Sequence, residues 1–148
     1  MTDYQVATER VAADRPGTAR PVGSMGAVID AAVIDAAVID QLASITDAEG
    51  LSVLGELLQA FLAAAPARLE AIDHALAGAD LAGVGEQAHA LTGSSASFGA
   101  TGMASLCRRL RATAEEDDVD GSRALVVSLH TEFGRVRSSL VTLMRSGV

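Results

Sequence analysis

Three histidines, His74, His89 and His130, are the side chains of this sequence best suited to nucleophilic chemistry near neutral pH. An imidazole with a reference pKa of about 6.5 is largely uncharged there and carries a free lone pair. Each of the three has a glycine four residues on, namely Gly78, Gly93 and Gly134, so that feature separates none of them. His89 alone also has a glycine at i−4, Gly85, with the run Gly93-Ser94-Ser95-Ala96-Ser97 just beyond it. On a helix Gly85, Glu86, Thr92, Gly93 and Ala96 are the neighbours of His89, and the two glycines and the alanine leave its flank nearly bare. Glycine inside a helix costs about 1 kcal/mol relative to alanine, so two of them around one imidazole ask for a reason. Access is a physical one. A group as large as a phosphoryl on a ring nitrogen needs room, and so does the partner cleft that must close over it. A plain surface histidine in a glycine-rich chain is the competing reading, and geometry alone leaves both open.

Other chemistries find less support. The histidines are scattered and the single cysteine, Cys107, stands in no ligand cluster, so no metal site and no cofactor of the chain's own is expected. There is no GxxxxGK[ST] loop to cradle a nucleotide. One cysteine cannot form an internal disulfide, which fits a reducing compartment. All 11 basic residues are arginine, and the formal net charge is −8. Such a chain lacks the long-range attraction that nucleic acid or an anionic membrane requires. No basic stretch followed by an apolar one opens the sequence, and no uncharged run approaches membrane-spanning length. The expectation is a soluble, cytoplasmic, monomeric protein that binds no nucleic acid and does not insert into membranes.

The elements that must position His89 follow from apolar spacing. Apolar residues make up 49 % of the 148-residue chain and aromatics only 3 %, so a core would be built of Leu, Ile, Val, Ala and three Phe, a composition that favours helix. Residues 1–26, with Pro16, Gly17, Pro21, Gly23 and Gly26, read as a flexible tail. Residues 28–40 read VIDAAVIDAAVID. Five residues advance a helix by about 500°, so successive Val-Ile pairs drift by about 140° and cannot all face one core. The last copy continues to Leu42 and Ile45 at helical spacing and predicts a short first helix, with 27–37 a repeat segment that extends it, covers another surface or mediates self-association. Asp47 is placed to cap the next helix. Leu54, Leu58, Phe61, Ala65, Leu69, Ile72 and Leu76 then form one stripe, interrupted by Pro66, which either bends a long helix or opens a new one. Leu81, Val84, Ala88, Leu91, Ser95 and Phe98 make the next stripe, ended by Gly99, with Thr101 as the following cap. Met103, Leu106, Leu110 and Thr113 make another, and Val126, Leu129, Phe133, Val136, Leu140 and Leu143 the last. Short links between them predict an all-α, antiparallel four-helix bundle over 38–146 with a short additional N-terminal helix. On the third stripe's helix His89 lies roughly 130° from the apolar centre, facing solvent.

The run Ala88-His89-Ala90-Leu91-Thr92-Gly93-Ser94-Ser95-Ala96-Ser97-Phe98-Gly99-Ala100 resembles the signature of histidine phosphotransfer domains. The similarity continues through Met103, Leu106, Cys107 and Leu110, and reaches back to Phe61, Pro66, Leu69, Ile72, Leu76 and Asp80. It implies a phosphorylated histidine exposed on a middle helix of the bundle, at His89, with Gly93 keeping space beside it. It also implies a partner: a response-regulator receiver domain or a hybrid sensor histidine kinase, between which such domains carry phosphoryl groups in two-component phosphorelays. One departure stands out. The family usually has a lysine three residues after the histidine, where this chain has Thr92. Thr92 can donate a hydrogen bond but brings no charge, a difference on the order of 1 kcal/mol at a solvent-facing site. Arg108 on the next helix, or Arg109 or Arg111, is a candidate to supply the missing cation, while Arg109 and Arg111 also read as ordinary outward-facing residues.

The chemistry so implied is attack by a His89 nitrogen, expected to be Nε2, on the phosphorus of an aspartyl phosphate. The receiver would bring the divalent metal, Mg, and the charge clamp that phosphoryl transfer needs. The chain would then be a carrier and not an autonomous enzyme. The alternative is a helical module that binds a receiver or kinase without transfer. A phosphohistidine phosphatase is the weaker enzyme reading, since no set of acid, base and nucleophile is visible.

Overall fold

The computed structural model describes residues 32–146, which fold entirely as helices and short connections. In chain order these are α1 (Ala36–Ala43), α2 (Leu54–Ala77), α3 (Leu81–Ser97), α4 (Thr101–Glu115) and α5 (Val119–Arg145). Helices α2 to α5 close into a four-helix bundle, each packing on the next and α2 completing the ring against α5. The links 78–80, 98–100 and 116–118 are too short for anything but antiparallel neighbours. Asp80 caps α3 and Asp118 caps α5, each accepting from the backbone N–H three residues on, at 3.0 and 2.9 Å.

The stripe read on α2 is the buried face of that helix without exception, and every residue of the stripe from Val126 to Leu143 on α5 is buried, with Ser122 and Glu132 beside them. On α3 the interior takes Val84, Ala88, Leu91 and Ser95, followed by Phe98. Phe61 ties these layers together, with its ring 5.2 Å from Phe98 and 6.3 Å from Phe133 between centroids. Pro66 neither breaks α2 nor opens a new helix: it lies exposed within one continuous element.

Several details differ from the expectations. The core begins before residue 38. Val33 and Ile34, from the middle copy of the repeat, are buried although they precede α1. The helical drift does not apply to them, because this copy is not helical. Asp35 ends it by capping α1 through Ala37 N–H at 2.9 Å, while its own N–H donates to Gly99 O at 2.9 Å. The N-terminal segment is thereby fastened to the α3–α4 turn. The expected tail, 1–26, and the first copy of the repeat lie outside the described residues. Asp47 caps no helix. Its carboxylate accepts from Glu49 N–H and Leu51 N–H, both at 2.9 Å, and so closes a turn. Leu54 N–H, at the start of α2, donates instead to Ser52 Oγ at 3.2 Å. Thr101 is the first residue of α4, whose cap position is Ala100. On α4, Leu106 and Thr113 are only half-buried, and Ala104, Cys107 and Ala114 complete the inner face.

Candidate functional site

His89 stands in the middle of α3 on the side turned away from Val84, Ala88 and Leu91, and it is exposed. The α3 core residues hold the helix down, so the imidazole needs no burial of its own to be fixed in place. One turn further, a Cβ on Gly93 would meet nothing within 4 Å. Packing among the described residues does not require a glycine there, and they leave the surface beside the ring open. Ala96 is exposed on the same flank. The expected bare face is present from His89 toward the C-terminal end of α3.

Toward the N-terminal end the picture changes. Gly85 is buried against α4, where a Cβ would lie 3.9 Å from Arg111 Cγ and 4.0 Å from Ala114 Cβ. It therefore shapes the α3–α4 contact and is not part of the open flank, unlike the expectation for it. The two helices leave between them a groove of about 430 Å³, with Gly85, Glu86 and His89 along one wall and Arg111, Ala114 and Glu115 along the other.

The cation beside His89 comes from Arg111. Its Nη1 donates to His89 Nδ1 at 2.8 Å, and its Nε lies 3.3 Å from Glu115 Oε2. Arg108, the candidate named from the sequence, is exposed, and the cation in contact with the ring is not Arg108. Thr92 does not stand in for a lysine either. Its hydroxyl donates to Ala88 O at 2.9 Å, within its own helix. On the other side of α3, Arg68 of α2 donates to Gln87 Oε1 at 3.1 Å. Cys107 lies fully inside the core. Burial pushes its thiol up to about 12, against the opposing pull of the neighbouring Arg108 charge, so it is a packing residue and no nucleophile. The other two histidines sit elsewhere, and His130 is paired through Nε2 with Asp73 of α2 at 2.8 Å.

The model of the Hpt domain family matches residues 56–139, more than half of the chain and the whole of the stretch that carries this site. The chain belongs to the Hpt family. It is a phosphoryl carrier of a two-component phosphorelay, not an autonomous enzyme, and it works with receiver or kinase partners. The crystal structure of histidine-containing phosphotransfer protein B (HptB) from Pseudomonas aeruginosa PAO1 is similar in fold, with a TM-score of 0.74 at 24 % identity over 80 % of this chain and 100 % of that one. Among curated proteins none matches. No helix among the described residues of this Hpt chain is long and apolar enough to cross a membrane.

The feature that sequence reasoning left unresolved is the choice of Arg111. Counting equally away from the 98–100 turn brings His89 opposite the stretch Arg108–Arg111. That signal was present, but it does not decide which of three arginines turns toward the ring.

Proposed function

We propose that His89 is the residue that carries the phosphoryl group, received from and returned to aspartates of receiver domains. The supporting observation is the contrast between its ring and its helix: an exposed imidazole with open space at Gly93 stands on an element whose opposite face is fully packed. A nucleophile in that setting is accessible to a docked cleft, on a helix anchored by the bundle core. The Nε2 lone pair attacks phosphorus, the bond from phosphorus to the aspartate oxygen breaks, and the carboxylate leaves with the electron pair. The phosphoramidate stores the group until a second aspartate reverses the step. The divalent metal belongs to the receiver, which supplies charge neutralisation at the phosphoryl oxygens. The chain acts in the cytoplasm as a monomer. A net charge of −8 makes it a poor ligand for nucleic acid.

Incubation with a radiolabelled phospho-receiver tests the assignment. Label is expected on the wild-type chain, stable to base and lost in acid, and absent from His89→Gln. Binding of the receiver without any transfer of label would favour the alternative, an interaction module in which Thr92 has replaced the charged residue that transfer requires.

A further inference from the structure

We infer that Arg111 is a positioning residue that selects the tautomer of His89, holding the resting imidazole with its proton on Nε2 until the contact opens. The inference rests on the reading of His89 as the phosphoryl carrier. Its physical basis is the donor inventory of the two groups. A guanidinium has only N–H donors, no acceptor, and keeps its charge at any ordinary pH. At 2.8 Å from Arg111 Nη1, His89 Nδ1 must offer a lone pair, because an N–H there would point hydrogen at hydrogen. A neutral imidazole carries one proton, so that proton sits on Nε2.

The arginine is held for this task within its own helix. Glu115, one turn on, takes its Nε at 3.3 Å, which leaves the Nη1 edge free for the ring. The Arg111 stem passes Gly85 of α3, where a Cβ would sit in ordinary contact with Arg111 Cγ at 3.9 Å. Thr92, whose position usually holds a lysine in this family, plays no part, since its hydroxyl is committed to Ala88 O. Charge therefore reaches this imidazole at the nitrogen opposite the reacting one, not at the phosphoryl oxygens.

The consequence for transfer follows from proton bookkeeping. Attack by Nε2 requires its lone pair, so the ring must first carry its proton on Nδ1. The Arg111 contact opens, Nε2 gives its proton to water, and Nδ1 takes one from water. Nε2 then bonds to phosphorus as the aspartate carboxylate leaves with the electron pair, and the Nδ1 proton passes to water. In the phosphorylated ring Nδ1 again offers a lone pair, and Arg111 can close on it. Return transfer breaks the N–P bond with its electron pair going to Nε2, and this is easiest when Nδ1 is protonated, the state Arg111 opposes. Arg111 thus slows both directions of exchange and prolongs storage.

The test uses the full chain with ¹⁵N-labelled histidine and long-range ¹H–¹⁵N spectra recorded without any phosphoryl donor, with His89 assigned by its loss in His89→Gln. Wild type is expected to show an unprotonated Nδ1 and a protonated Nε2. In Arg111→Met the Nδ1–H to Nε2–H ratio should rise about tenfold, the scale of one hydrogen bond to a charged group. Arg111→Lys, which keeps a cationic donor, should restore most of the wild-type spectrum. Phosphohistidine should also decay several-fold faster in Arg111→Met than in wild type, in keeping with that lost bond. A wild-type spectrum with a protonated Nδ1, or an Arg111→Met spectrum that leaves the His89 resonances in place, would overturn the inference. Because the spectra need no donor, a failure of His89 to accept label is a separate result and leaves the tautomer measurement standing.

Discussion

Gly93 and Gly99 lie in one short stretch of chain and do opposite things. Gly99 has φ +73°, and a Cβ there would come within 3.0 Å of the Cβ atoms of Asp35 and Val38. The turn from α3 to α4 and the seating of the N-terminal segment both require that residue to be glycine. Gly93 is helical, and a Cβ on it would meet nothing. The first glycine is demanded by the fold. The second weakens its own helix, and none of the described residues crowds it, which accords with the proposal that it keeps space for a partner at His89; Gly134 on α5 is equally uncrowded.

Substitutions on either side of this divide test it. The largest effect is expected on the packed side, where Leu91→Ala should cost roughly 2–5 kcal/mol in denaturant unfolding, the range for a buried leucine that leaves a cavity. Alkali probes the same side without mutation. The Cys107 thiol sits at about 12 in the fold against 9.0 ordinarily, so its contribution to stability is intact below about pH 9 and is lost as pH rises toward 12. A melting temperature that stays flat across that window would contradict its burial. Gly99→Ala should destabilise by about 1–3 kcal/mol through left-handed backbone strain and the crowding at Asp35. Gly93→Ala should do the reverse, raising stability by about 1 kcal/mol while slowing phosphoryl uptake from a receiver. If Gly93→Ala and Gly99→Ala shift the melting temperature in the same direction, the contrast drawn between them fails. The smallest effect is expected for His89→Gln, whose unfolding should stay within about 0.5 kcal/mol of wild type.

The bundle was legible because α2 and α5 keep one apolar spacing over many turns, and every residue of those stripes is buried. His89 was legible for the same reason, since an angle measured from Leu91 and Val84 places it outside. What periodicity misses is anything not helical or anything decided between helices. Val33 and Ile34 enter the core from a turn, where a helical wheel has no meaning. Asp47 has the side chain of a cap but finds its donors in a turn of its own. The pairing of Arg111 with His89 depends on the stagger of α4 against α3 and on the hold of Glu115, neither of which follows from either helix alone. Gly85 shows the limit most plainly. It shares the i±4 relation with Gly93, yet the rotation of about 80° between the two positions turns one into the α3–α4 contact and leaves the other in the open.

The central claim is that the phosphoryl group rides on the exposed ring of α3. Peptide mapping of the chain after transfer from a phospho-receiver, kept at neutral to basic pH and read by tandem mass spectrometry, addresses it most directly. The group is expected on His89, and phosphorus NMR of the same sample should place it on Nε2. A phosphoryl group mapped instead to His74 or His130, with His89 unmodified, would contradict the account.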